Sequence, residues 1–393
     1  MQSLSQSPTA PDFVQNPYPF YDRARATGPL FHWQDYDLIC ATSAATVGAI
    51  LRDRRFGREV PPEKARPIPD RLRPFYAVEA HSMLELEPPR HTRLRSLVLR
   101  AFTSRRIAGL APEIATLSHQ LVDALPSGEH DVLRHFATRL PVTIIARLLG
   151  VPEERGDDLL RWSNAMVGMY QARRSRQMEG AAVAATEAFV AFMRSYIDER
   201  RAKPADDLIT HLIAAEMEGE KLTTDELITT CILLLNAGHE ATVHSLGNGV
   251  KALLEHQHGL DVLTPETVES TVEEILRHDP PLHLFTRYAY EEIELSGYTF
   301  RRGDEVGCLL AAANRDPQSW ENPGRFNPAR PIKANLSFGA GLHFCVGAPL
   351  ARLELQIALP ILCQRLPGLS LSQPPIYANV YHFHGLEKLL VRA

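Results

Sequence analysis

One run of 33 residues, Thr224 to His256, limits the possible folds of this chain more than any other segment. Its apolar spacing predicts a single helix far longer than the mean of about 12 residues. Thr223 and Glu226 form a capping box at its start. Up to Leu235 it is apolar almost all round, which places it in the core. Its middle then reads Ala237-Gly238-His239-Glu240-Ala241-Thr242. Glycine costs about 1 kcal/mol in a helix interior, and a buried acid costs more unless it is paired. Two readings stay open: a kink or close helix crossing, or a widened groove beside a ligand with Glu240 held for proton transfer.

The remaining periodicity is mostly helical. Helices are predicted over Thr92–Phe102, Ile107–Ala124, Leu133–Leu149, Gly180–Arg201 and Glu266–Arg277, and a further helical run over Ala348–Leu362. Strands are predicted over Tyr36–Ala41, Tyr288–Leu295, Tyr298–Phe300, Glu305–Leu310 and Leu386–Val391. The fold class is therefore mainly α with a small β portion. The Pro-rich loop from Pro61 to Pro74 is too short for a linker, so residues 1–393 read as one domain. Hydrophobic residues at 45% and charged residues at 23% suit a globular protein of this length. A net charge of −5 argues against nucleic-acid binding by bulk charge. No apolar run approaches the ~20 residues of a membrane span, and Met1–Pro11 lacks the pattern of a signal peptide. A cytoplasmic location without membrane association is expected.

Two local features carry chemistry. Arg90 to Arg106 holds six arginines and no acid. His91 and Arg95 share one helix face, and Arg93 and Arg100 another. Such a run is either a solvated face, or one face meets a buried anion and the other an acidic partner. The second feature is Cys345. Five scattered cysteines with no C-x-x-C spacing argue against a disulfide framework and against a four-cysteine zinc site. Cys345 alone sits among glycines (Gly339, Gly341, Gly347), just before a helix start that favours a thiolate. A zinc ligand, a cysteine nucleophile and an axial ligand to haem iron all remain open for it, with zinc disfavoured because His343 is its only local co-ligand.

The loop Phe338-Gly339-Ala340-Gly341-Leu342-His343-Phe344-Cys345-Val346-Gly347 resembles the haem-binding signature of the cytochrome P-450 superfamily in its soluble bacterial form. Other motifs of that family follow in the right order across nearly the whole chain. They are Pro88-Pro89-Arg90-His91-Thr92 with Arg95, Ala237-Gly238-His239-Glu240, Glu274-Ile275-Leu276-Arg277, Ala313-Asn314-Arg315-Asp316-Pro317 and Pro323-Gly324-Arg325-Phe326. The resemblance implies a haem-thiolate monooxygenase with haem b held between the long central helix and the cysteine-loop helix, and O2 as co-substrate. It implies Cys345 as the iron ligand, with Phe338, Gly339, Gly347 and Ala237 around the haem. His91, Arg95, Arg287 and His343 are the implied partners of the propionates, and Glu274, Arg277 and Arg325 a buried structural ion-pair group.

One position departs from the family pattern. An acid followed by threonine is usual where this chain has Glu240 and Ala241, and Thr242 is rotated about 100° away. Proton delivery is expected to use water or a polar group of the substrate, ending at Glu240. Position matching places Met83, Leu233, Asn236, Leu282, His283, His382 and Phe383 at the substrate pocket, with Phe75–Met83 and Met166–Gln177 in its roof. The polar members suggest a small substrate with a polar or anionic group. The chain has no reductase portion, so electrons must come from a ferredoxin or flavodoxin and its reductase, with Arg93, Arg100, Arg105 and Arg106 as docking candidates. A peroxide-using or redox-neutral enzyme, and a non-catalytic haem-binding domain, are the competing readings.

Overall fold

The computed structural model describes residues 1–171, 174–217, 219–381 and 383–392. Helices dominate and strands are short, as the periodicity predicts. Four helices matter to function: α1 (Arg90–Ala101), α2 (Thr224–Glu255), α3 (Val268–His278) and α4 (Ala348–Arg365). The packing divides into two compact units. One contains Met1–Lys64, Ala115–Ala137 and Ala241–Ala393, the other Ala65–Ile114 and Thr138–Glu240.

The first unit is built on a six-stranded sheet. Its strands are β1 (Ser3–Leu4), β2 (Leu30–Trp33), β3 (Leu38–Ala41), β4 (Phe56–Gly57), β5 (Leu284–Ala289) and β6 (Glu305–Leu309), in the order β1-β2-β3-β6-β5-β4. β6 runs parallel to β3 and antiparallel to β5. Successive side chains alternate between two apolar clusters. Leu30, Ala41 and Cys308 join one, while Phe31, Cys40 and Leu309 join the other. Gly307 sits where the two neighbouring strands close in, since a Cβ there would lie 2.7 Å from the Cys40 sulfur. The register sets Arg287 of β5 opposite Val306 of β6.

The predicted strand Tyr288–Leu295 is two elements. β5 ends at Ala289, and Ile293–Leu295 forms a hairpin with Tyr298–Phe300. Ser296 and Gly297 both have positive φ, as a two-residue type I′ hairpin turn demands. The predicted helix Ile107–Ala124 also divides, into Ser104–Gly109 and Ala111–Asp123. Gly109 is a poor helix former, and Pro112 cannot donate to a preceding turn but suits the first turn of a new helix.

In the second unit, α2 begins as expected. The Thr223 amide donates to Glu226 Oε2 at 2.9 Å and the Glu226 amide to Thr223 Oγ1 at 3.2 Å. Gly238 is a close crossing point: a Cβ there would lie 3.1 Å from Ile145 Cγ1, on the helix Arg139–Leu149. A beta carbon would press on Ile145, which explains the glycine.

Helix α4 buries Glu354 to 1% exposure, and neither carboxyl oxygen has a hydrogen-bond partner among the described residues. Burial pushes this carboxyl well above the usual range. The folded chain therefore keeps a proton that the unfolded chain releases above about pH 4. The site's contribution is fully present below that pH and is lost as pH rises towards the folded value. Glu354→Gln carries no charge to desolvate. Scanning calorimetry should show its melting temperature above that of the wild type by about 3 °C at pH 8, and level with it at pH 4. A gap that does not change with pH refutes the neutral carboxyl.

Candidate functional site

The first unit presents Cys345 on a tightly bent loop. Gly339 and Gly341 both have φ of +69°, a conformation that side chains resist. A Cβ on Gly341 would lie 2.2 Å from the Leu51 carbonyl oxygen, so this loop packs directly on backbone. The Cys345 amide donates to the Phe338 carbonyl at 3.1 Å, which closes the loop. Helix α4 starts three residues later at Ala348, with proline in its first turn. Among the five cysteines only Cys345 is exposed. Burial pushes the Cys308 thiol up to about 12 and that of Cys363 up to about 11, and raises those of Cys40 and Cys231 as well. Those four are inert packing groups.

The loop is braced from below by a buried polar network. Arg277 of α3 donates from Nε and Nη2 to both oxygens of Glu274, at 2.7 and 2.8 Å. Its Nη1 donates to the Asn314 carbonyl at 2.9 Å. The Asn314 side chain then donates to Ser337 Oγ at 2.8 Å and accepts from the Leu336 amide at 2.7 Å. Ser337 immediately precedes Phe338, so the ion pair reaches the cysteine loop through one asparagine. Glu273, beside Glu274, binds Arg352 of α4, and the Arg352 guanidinium lies 4.6 Å from the Phe338 ring centre.

One expected member is corrected. Arg325 is exposed and offers only its carbonyl to the group. The second arginine on Glu274 is Arg330, whose Nε donates to Oε2 at 3.0 Å. The two lie five positions apart in an irregular stretch with no periodicity to favour either. Arg330 follows Asn327-Pro328-Ala329, and that second arginine was the available signal.

Arg287 is 3% exposed, and its Nη1 donates to the Thr286 carbonyl at 2.8 Å. His343 lies in the cysteine loop, half-buried. The second unit carries His91, 1% exposed, and Arg95, half-buried, four residues apart on α1. Arg93, on the other face, is tied to Glu226 and is therefore engaged within its own unit. Arg106 is likewise bonded to Asp206 at 3.1 Å. Arg100 and Arg105 are the exposed members of the docking set.

Along α2 almost every side chain from Glu226 to Val250 is buried. The exceptions are Leu233, Ala237, Gly238, Glu240, Ala241 and His244. They recur every three or four residues and form one open stripe on the helix. Glu240 and Ala241 lie on it. Thr242, 4% exposed, is turned into the packing, as its rotation from Ala241 requires. His239 is also buried, with Nδ1 2.7 Å from the Leu235 carbonyl. Asn236 is 8% exposed; its Nδ2 donates to the Met166 sulfur at 3.7 Å, while its buried Oδ1 has no hydrogen-bond partner among the described residues. Met83 is buried, while Leu282 and Phe383 are half-buried.

His283 departs from the expected pocket position. It is fully buried, with Nδ1 2.9 Å from the Tyr21 hydroxyl and its ring 4.4 Å from that of His384. Tyr18 and Tyr377 donate to Asp279 in the same cluster. Burial holds the His283 imidazole well below its ordinary value, so it is a neutral core histidine. His382, and Ala172 and Arg173 of the expected roof, lie outside the described residues.

The donor set fits a haem. It offers one exposed soft thiol on a glycine-shaped loop, and arginine and histidine side chains of the kind that bind carboxylates. Cys345, with His343 and Arg287 in its unit, could hold that group.

The comparisons agree with this chemistry. The family model described as cytochrome P-450 matches residues 64–372. The chain is similar to the biotin biosynthesis cytochrome P-450 of Bacillus subtilis, 36% identical with 99% of each chain covered. It is similar to 6-deoxyerythronolide B hydroxylase of Saccharopolyspora erythraea, 34% identical with 95% of each covered. Among solved structures it is similar to P-450BioI in complex with acyl carrier protein ligated to hexadec-9Z-enoic acid. The TM-score is 0.92 at 36% identity, covering 97% of this chain and 99% of that one.

Proposed function

The chain belongs to the cytochrome P-450 family of haem-thiolate monooxygenases, and on that premise we propose how its own residues run the reaction. It is an oxidoreductase that incorporates oxygen from O2, and its cofactor contains haem iron. The finer reading is haem b as cofactor, a small substrate with a polar or anionic group, a ferredoxin or flavodoxin with its reductase as electron source, and a cytoplasmic location. No described helix is long and apolar enough to cross a membrane. The chain passes back and forth between its two units, which supports one catalytic domain over residues 1–393.

When bound, haem iron supplies O2 binding and activation, which an anionic sulfur ligand strengthens. The observation that carries the reading is the single exposed thiol on a braced loop. Cys345 would hold the iron, Phe338, Gly339, Gly347 and Ala237 would border the ring, and His91, Arg95, Arg287 and His343 would bind its carboxylates. Glu240, half-buried on the open stripe, holds and passes protons. Ala241 has no hydroxyl, and Thr242 faces the packing, so the relay runs through water or through the substrate to Glu240.

The test is turnover with a ferredoxin and its reductase, scored as product per electron consumed. Ala241→Thr should leave that ratio with the native substrate within about twofold, because the relay is already complete. A sharp rise shows that the native site is merely deficient. The second reading, a peroxide-using or redox-neutral enzyme, is favoured by Ala241. It wins if the ferredoxin system gives no product while peroxide, or substrate alone, does.

A further inference from the structure

We propose that Asp279, His283 and His384 form a buried binding site for a divalent transition metal ion, with a donor set that suits zinc. One ligand atom from each residue lies within 4.8 Å of the other two. Some point is therefore within about 2.8 Å of all three, and a contraction of about 0.7 Å brings it to zinc's bond length of ~2.1 Å. Asp279 is 7% exposed, His283 0% and His384 6%. His384 Nε2 lies 3.5 Å from Asp279 Oδ1. His283 Nε2 has no hydrogen-bond partner among the described residues, a state that buried polar atoms rarely keep unless something else binds them.

The surroundings are built as those of a metal site. The Asp279 oxygens accept from two neutral hydroxyls, Tyr18 at 2.6 Å and Tyr377. Lys251 and Arg315 act on this carboxylate only through space, since Lys251 pairs with Glu255 and Arg315 donates to the His278 carbonyl. A buried carboxylate without a bonded lysine or arginine is completed by a cation. Burial holds the His283 imidazole well below its ordinary value and that of His384 down to about 4, so both are neutral at pH 7, the form that binds metal. His283 Nδ1 lies 2.9 Å from the Tyr21 hydroxyl, which lies 2.8 Å from that of Tyr381. When Tyr21 donates to Tyr381 it accepts the Nδ1 proton, and the Nε2 lone pair is left bare. Tyrosine hydroxyls thus serve as the outer partners that orient two of the ligands. The backbone is placed without help from these side chains. Asn248 donates to the Asp279 and His384 carbonyls at 3.1 and 3.0 Å, the His384 amide to the Pro281 carbonyl at 2.7 Å, and the Leu310 amide to the His283 carbonyl at 2.8 Å. Two imidazoles and one carboxylate suit zinc better than calcium or magnesium, which take oxygen ligands. Three protein ligands leave one tetrahedral position for water. The ion joins the end of α3, the start of β5 and the distant turn at His384.

The experiment is equilibrium dialysis of the haem-loaded enzyme against zinc chloride, with zinc counted per chain by atomic emission and thermal melting of the same samples followed by circular dichroism. The wild type should bind one zinc ion per chain, and removing it with a chelator should lower the melting temperature by about 3 °C. His283→Gln removes Nε2 and Asp279→Asn removes the charge. Each should weaken zinc binding by about a hundredfold and abolish the zinc-dependent shift in melting, and Tyr21→Phe should weaken binding by about tenfold. His211→Gln, at an exposed histidine beside Asp206, should change neither readout. The proposal fails if the melting temperature of the wild type does not respond to zinc and chelator, a result that needs no variant to fold. It fails also if His283→Gln and Asp279→Asn bind zinc as tightly as the wild type, which places the ion on other histidines.

Discussion

Cys345→Ser should abolish the strongly red-shifted Soret band of the reduced, CO-bound protein and reduce monooxygenation to background. The replacement is nearly isosteric. The loop keeps its shape because its closing bond uses the Cys345 amide and not the thiol. The brace from Glu274 through Arg277, Asn314 and Ser337 is likewise untouched. Circular dichroism should therefore match that of the wild type. The other four cysteines cannot take over, since all are buried and those thiols are pushed up by burial. Cys363→Ser serves as the control and should retain the band. If the band survives in Cys345→Ser, the axial ligand is another residue and the roles assigned around this loop fall together.

The parts of this site legible in the sequence were those set by short-range chemistry. The glycines of the cysteine loop mark positive φ at Gly339 and Gly341. The spacing of Thr223 and Glu226 marks a helix start. The 100° step of a helix separates Ala241 from Thr242. What was not legible depends on distant segments. His283 is buried because Tyr18 and Tyr21, more than 250 residues earlier, supply its surroundings. The choice of Arg330 over Arg325 is made by the path of an irregular loop across α3.

Glu274 should be the costliest acid to remove. It is 2% exposed and neutralises two guanidiniums, Arg277 at 2.7 Å and Arg330 at 3.0 Å. It also accepts from the Asn327 amide at 2.8 Å. Glu274→Gln leaves Arg277, 1% exposed, charged and uncompensated. Breaking a buried pair from one side costs about 3–5 kcal/mol. An exposed pair of equally good geometry, Arg55 on Asp53 at 2.6 Å, is worth about 0–1 kcal/mol. Denaturant unfolding should therefore separate Glu274→Gln from Asp53→Asn by several kcal/mol. The loss should also reach the cysteine loop, because Arg277 holds the Asn314 carbonyl and Asn314 holds Ser337. Haem retained per chain should fall in Glu274→Gln, and fall less in Asn314→Ala, which breaks the same path without stranding a charge. If Glu274→Gln costs no more than Asp53→Asn, the buried ion pair does not hold this region together. If stability drops while haem content stays at the wild-type level, the path through Asn314 does not support the loop.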